Sequence, residues 1–336
     1  MAKPSFPLSI LDLAAVGREE TIAESFEGCV ELARLAERTG YRRIWYAEHH
    51  NIRSIASSAT AVLIAHIAAH TESIRLGAGG VMLPNHSPLV IAEQFGTLEV
   101  LHPGRIDLGL GRAPGTDQRT WVALRRDPRA SERFPEDVVE LQKFLADESP
   151  IPGVKAIPGR GTNVPLYILG SSLFGAELAA QLGLPYAFAS HFAPRFLGEA
   201  LALYREKFKP SKQLEEPYVI AGVGVIAAET QERANSQLEA TRRARARNLF
   251  GRGNRLSDEE ITALLSSPEA TVVDEMLTYS AVGLAEEVAA YLVKFAEDTG
   301  ADELMTAHYA DSVSNRLRSV ELLASALDPV GAGRAD

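Results

Sequence analysis

The sequence holds a single cysteine, Cys29, which excludes an internal disulfide and fits a reducing compartment. No apolar run approaches the roughly 20 residues that a membrane-spanning helix needs. The opening MAKPSFPLSI also lacks the apolar core of a secretory leader, so a cytoplasmic protein without a membrane partner is expected. Basic residues are short: 34 Lys and Arg face 44 Asp and Glu, a net charge of −10. So acidic a surface repels phosphate backbones, and nucleic acid is not an expected partner. Metal signatures are missing as well. There is no HExxH, and the ends of the predicted strands carry no cysteine or carboxylate cluster. Without a short-period repeat, low-complexity tract or linker, residues 1–336 read as one domain. What is present is 46% hydrophobic and 23% charged, enough to bury a large core without crosslinks or metal.

Short apolar or β-branched runs alternate with longer stretches of helical period, the pattern of parallel strands joined by crossover helices. Strands are predicted at residues 8–13, 43–48, 75–83, 105–111, 166–169, 186–189, 219–227 and 302–307. Helices are predicted at 21–38, 56–71, 88–101, 132–147, 174–181, 194–208, 284–297 and 314–327. Eight such units close a ring, so the expected fold is α/β, a single (β/α)8 TIM barrel. Two connections exceed the usual length: 112–130 after the fourth strand, and 229–280, with extra helices, after the seventh. At the strand-exit face such insertions serve as lids or substrate walls.

Active sites in this architecture form where strands exit. The second strand runs into Glu48-His49-His50. Three ionisable groups there are costly unless used or solvated, and alternation turns at most one histidine squarely to the mouth. A satisfied histidine pair in a loop is the competing reading. The third strand carries Gly77, Gly79 and Gly80, which suit either a bulge or a bare floor for a flat ring. Gly109-Leu110-Gly111 lacks the third glycine of a dinucleotide fingerprint. Arg112 follows it, as a phosphate clamp or a surface ion pair. Ser171 and Ser172, with Gly175, open a helix; its free N–H groups make an anion site, or the serines simply cap it. Arg112 and this turn belong to neighbouring strands and together favour a phosphorylated ligand.

Taken in order, these segments resemble the bacterial-luciferase-like flavin monooxygenases. The matching residues are Gly40-Tyr41-Arg42-Arg43-Ile44-Trp45 leading into Glu48-His49-His50; the Gly-rich third strand into Leu83-Pro84 and Pro88; and Gly104-Arg105 with Gly109 and Arg112. Ala179-Ala180-Gln181-Leu182-Gly183-Leu184-Pro185 and Thr299-Gly300-Ala301-Asp302-Glu303-Leu304-Met305 extend the resemblance along almost the whole chain. It implies a homodimeric enzyme that takes reduced FMN as cosubstrate from a separate NAD(P)H-dependent flavin reductase and uses O2 to oxygenate a small organic substrate. It further implies a non-prolyl cis peptide at Gly79-Gly80 beneath the ring, and phosphate contacts at Arg112, Ser171, Ser172 and the backbone near Gly175. His49 and Glu48 are the catalytic residues it implies, His49 as proton donor or hydrogen-bond partner to a flavin hydroperoxide or its substrate adduct. Gly111, near the flavin, stands where true luciferase has a cysteine, which argues against light emission and an aldehyde preference but not against flavin binding. Two other readings remain: a deazaflavin-dependent oxidoreductase that transfers hydride without oxygen, and a flavin-binding protein without turnover.

His66 and His70, four apart on an apolar helix, read as packing or helix-end groups rather than a metal pair. His86 and His191 follow predicted strands and are candidates to reach the pocket. Arg242, Arg243, Arg245, Arg247, Arg252 and Arg255 form a basic run. They suit a solvated face pairing with carboxylates, or a lid that covers the flavin or receives a reductase. Cys29 falls on a core stripe.

Overall fold

Alternation along each strand sorts the side chains into one set facing inward and one facing the helices, and the chain closes around the first set. The computed structural model describes residues 6–113, 115–127, 129–251 and 256–327. Its strands are β1 (Leu8–Asp12), β2 (Arg43–Tyr46), β3 (Arg75–Met82), β4 (Ile106–Gly111), β5 (Leu166–Gly170), β6 (Tyr186–Phe188), β7 (Val219–Ala227), β8 (Ser280–Gly283) and β9 (Glu303–His308). β1 to β7 pair in sequence, all parallel, and β9 bridges β7 back to β1, which closes an eight-stranded (β/α)8 barrel. β8 pairs only with the far half of β7, outside the ring.

The helices are α1 (Ile22–Arg38), α2 (Thr60–Ala68), α3 (Pro88–Leu101), α4 (Gln118–Leu124), α5 (Phe134–Leu145), α6 (Leu173–Leu182), α7 (Leu197–Lys207), α8 (Gln231–Phe250), α9 (Asp258–Leu265), α10 (Ala270–Glu275), α11 (Ala285–Thr299) and α12 (Val313–Leu327). α1 starts on a capping box between Thr21 and Glu24, which satisfies two backbone donors that the helix leaves open. The large apolar core lies between strands and helices, through Leu8, Ile10, Ile44, Leu76 and Leu108. A second, smaller cluster of Trp45, Tyr167, Ala187, Ile220 and Met305 fills the barrel itself.

Below that cluster the barrel is closed by charge. Arg43 Nη1 donates to Asp107 Oδ2 and to the Tyr167 hydroxyl, both at 2.7 Å, and Arg43 Nε lies 2.9 Å from Glu303 Oε1. Arg75 pairs with the other oxygen of Asp107, while Ser9 and Tyr218 donate to Glu303. Two buried carboxylates thus meet two guanidiniums and several hydroxyls, which is how buried charge becomes tolerable.

Two expectations need correction. The helix predicted over 56–71 is only Thr60–Ala68, because the residues before it are held extended. Ile55 bridges Ala15, Ala56 N donates to Ala14 O at 3.0 Å, and His49 N donates to Ser57 O at 2.9 Å. The second is the strand predicted over 43–48, which ends at Tyr46 and leaves Glu48 in the exit loop.

Candidate active site

Glu48 is 1% exposed, and a carboxylate so deeply buried needs partners. It has them: His50 Nε2 at 2.8 Å, His86 Nε2 at 2.9 and 3.0 Å, the Met82 N–H at 3.0 Å and Asn85 Nδ2 at 3.4 Å. Burial alone pushes its pKa up, but the hydrogen bonds from His50 and His86 prevail and hold it at about 2. An anionic Glu48 therefore ties the exits of β2 and β3 together. His50 and His86, rather than His49, grip that carboxylate, so the satisfied reading fits His50, and His49 is left for other work. Burial depresses the pKa of His49, against the opposing pull of the Gly115 carbonyl and Glu48, which favours the uncharged imidazole.

The first insertion packs directly onto this loop. His50 N donates to Gly115 O at 3.3 Å, Thr116 Oγ1 to His50 O at 3.2 Å, and Asn51 Nδ2 to Asp117 Oδ2 at 2.9 Å. Arg126 Nε reaches the Asn85 carbonyl at 2.9 Å. Residues 115–126 thus form a wall over the β2 and β3 exits.

In β3 the Gly79-Gly80 peptide is cis, and the register against β4 shifts between Ala78 and Val81. A Cβ on Gly79 would lie 2.8 Å from Leu11 Cδ1 and 2.9 Å from Trp45 Cβ; one on Gly80 would lie 2.7 Å from the Gly109 carbonyl oxygen. At Gly111 it would lie 2.8 Å from Met82 Sδ. The barrel's own wall therefore demands glycine at 79 and 80, whereas at Gly111 only the flexible end of Met82 would have to move, and the register shift makes the bulge real.

At the β4 exit, exposed Arg112 lays its guanidinium 4.1 Å from the centroid of the Phe174 ring, in the first turn of α6. It has no carboxylate partner among the described residues, so the surface ion pair is not what holds it. Ser172 is the N-cap of α6 but makes no side-chain cap hydrogen bond, so ordinary capping does not occupy the first-turn amides. The Tyr186 hydroxyl fixes the turn by donating to the Ser172 carbonyl at 3.0 Å, and a Cβ on Gly175 would lie 3.3 Å from the Tyr186 ring. Arg112, Ser171, Ser172 and Gly175 thus stand at one corner of the mouth with donors free, a setting suited to an anion.

A second corner was only partly anticipated. His191, after β6, has its Nδ1 buried without a hydrogen-bond partner among the described residues. Its carbonyl accepts from Arg245 Nη2 at 3.2 Å and from the Tyr309 hydroxyl at 2.8 Å, and Arg245 lies 4.7 Å from the Tyr309 ring centroid. Burial, with Arg245 and His49 nearby, holds the His191 pKa well below the ordinary range. Tyr309 stands one residue beyond β9, where reading one residue past each strand end would have found it. Arg245 is separated by tens of residues from both partners and only the fold unites them. The rest of the basic run matches the solvated reading: Arg242 meets Asp274 at 2.8 Å, and Arg243 and Arg247 meet Asp258. Arg252 and Arg255 lie outside the described residues. His70 Nδ1 sits 2.7 Å from the His66 carbonyl, a helix-end role, and Cys29 is buried with its thiol pKa pushed up.

An eight-stranded barrel with a buried carboxylate and several imidazoles at its strand exits has the architecture of the TIM-barrel class, in which chemistry sits at those exits. The family model described as luciferase-like monooxygenase matches residues 7–303, and the chain belongs to that family. It is 47% identical over 325 residues to an Escherichia coli (strain K12) protein called luciferase-like monooxygenase, covering 96% of this chain and 97% of that one. It is 36% identical over 304 residues to the N-acetyl-S-alkylcysteine monooxygenase of Bacillus subtilis (strain 168), covering 85% and 88%. The structure of apo-MsnO8 matches with a TM-score of 0.86 at 38% identity, covering 97% of this chain and 99% of that one. No helix among the described residues is long and apolar enough to cross a membrane.

Proposed function

We propose that the protein is a cytoplasmic FMN-dependent monooxygenase that binds the cofactor at the barrel mouth, with the phosphate between Arg112 and the first turn of α6. The observation that carries this reading is the pairing of a guanidinium lacking a carboxylate partner among the described residues with a helix start that its own N-cap serine leaves open. Reduced FMN, when bound, supplies the electrons with which O2 is activated for insertion into the substrate. The Gly79-Gly80 and Gly111 backbone would border the ring. His49, neutral and beside the mouth, would hold or deliver a proton at its ring nitrogen. Glu48 would keep the His49 loop in place without touching substrate. The wall at 115–126, and the insertion that carries α8, would exclude water from the mouth.

Since the chain carries no dinucleotide fingerprint, a separate NAD(P)H-dependent flavin reductase would supply the reduced flavin. A homodimer is supported by apolar side chains left on the outer helices, Val62 at 72% and Val90 at 43% exposure. The name of the Bacillus subtilis relative makes small thioethers the first substrates to try, before aldehydes, sulfonates and ketones. Oxygen uptake with reduced FMN across that panel tests the reading, beside flavin titrations with FMN and a deazaflavin. Substrate-dependent uptake with FMN is expected; preferential binding of the deazaflavin and no uptake would overturn it.

A further inference from the structure

Arginines on α8 provide their own control. Arg233 pairs with Glu229, Arg242 with Asp274, and Arg243 and Arg247 with Asp258. Arg245 pairs with no carboxylate among the described residues. In a chain with 44 acidic and 34 basic side chains, a half-buried guanidinium left without a counter-ion is costly. Its contacts are the Met276 and His191 carbonyls, at 3.3 and 3.2 Å, and Tyr309, both over the ring and by a hydrogen bond to its hydroxyl. These bonds still leave other N–H groups of a five-donor fork unused. The position is also telling. His191 follows β6, Tyr309 follows β9, and Gly224 of β7 packs against the Tyr309 ring, so Arg245 is clasped over the β6, β7 and β9 exits. Arg112 stands at another sector, over β4 and β5.

We propose that Arg245 receives the anionic end of the substrate, so that the substrate class is small organic acids bearing a carboxylate; this rests on the flavin reading above. The Tyr309 ring and the two carbonyls hold the guanidinium in one orientation, and a carboxylate would accept a charge-assisted pair from its free edge. The neighbouring His191, neutral, would add no competing charge. An anion at this corner has two conceivable sources, the substrate or the flavin phosphate, and the test separates them.

Matched pairs provide the probe: N-acetyl-S-benzylcysteine and its carboxamide, then an aldehyde and a ketone scaffold, each as acid and amide. Binding is measured by calorimetry with and without FMN, so that failure to bind FMN removes the flavin reading while Arg245 is judged on its own. Wild-type protein is expected to bind the acids at least about 10-fold more tightly than the amides. Arg245→Met should reduce that preference to about 2-fold or less with FMN affinity kept, and Arg245→Lys should restore part of it. Arg245→Gln, which can still donate to the carbonyls, carries the same expectation should the methionine variant unfold. An absent acid preference in the wild type, or one that survives both neutral variants, overturns the proposal. A loss of FMN affinity in those variants overturns it too, by assigning Arg245 to the flavin phosphate.

Discussion

The two ends of the barrel treat charge in opposite ways. At the bottom, Arg43 and Arg75 are matched by Asp107 and Glu303, with Tyr167, Tyr218, Trp45 and Ser9 adding hydrogen bonds. At the mouth, Arg112 and Arg245 have rings and carbonyls but no carboxylates among the described residues, and His191 Nδ1 is buried without a partner. Folding alone would favour the first arrangement everywhere. Open valence at the second end is what the proposed ligand surface requires, and it coincides with the strand exits where this architecture places chemistry.

Breaking the matched end should have the largest effect on stability. Asp107→Ala leaves the buried guanidinium of Arg43 and the half-buried one of Arg75 short of a partner and is expected to destabilise the fold by about 3–5 kcal/mol, read by chemical denaturation. Arg112→Met, at the open end, should change stability by less than about 0.5 kcal/mol. Equal losses would dissolve the contrast. Next in size, His49→Ala should keep FMN affinity while substrate oxidation falls by about 100-fold or more. Unchanged turnover would remove His49 from proton handling.

A further effect is one of pH, read as a slope rather than as a single loss. Burial, with Arg316 close by, pushes the His308 pKa down from 6.5 to about 3, and His191 shifts the same way. The unfolded chain takes up these protons near 6.5 and the folded chain does not until far lower. Stability is therefore lost as pH falls through that window, by about 1.4 kcal/mol per pH unit for each such histidine. Glu48, at about 2 against an ordinary 4.5, adds a loss of the same sign below 4.5. His308→Gln should flatten the dependence of the unfolding midpoint on pH between 6.5 and 3; an unaltered slope would contradict the assignment.

Much of this was legible in the sequence wherever a residue's role is set by its own strand. β7 and α3 lie where apolar patterning put them, and the exits that carry Glu48, Gly79, Gly80, Arg112 and Ser172 follow from counting strands. β8 escaped because Ser280–Gly283 is four residues long and pairs only outside the ring. α2 was overdrawn because contacts from Ala14 and His49, not local propensity, keep the preceding residues extended. The reason for the glycines was half visible. Sequence suggests close approach, but not that Trp45, Leu11 and the Gly109 carbonyl are what approach. Arg245 sat in a charge run whose members look alike until partners are assigned in space.

The most direct measurement compares FMN with riboflavin, which differs by the phosphate alone, in wild-type protein and in Arg112→Met. Binding should favour FMN by at least about 10-fold in the wild type, with most of that preference gone in the variant and riboflavin affinity little altered. If wild-type protein binds riboflavin as tightly as FMN, the Arg112 and α6 corner does not hold a phosphate.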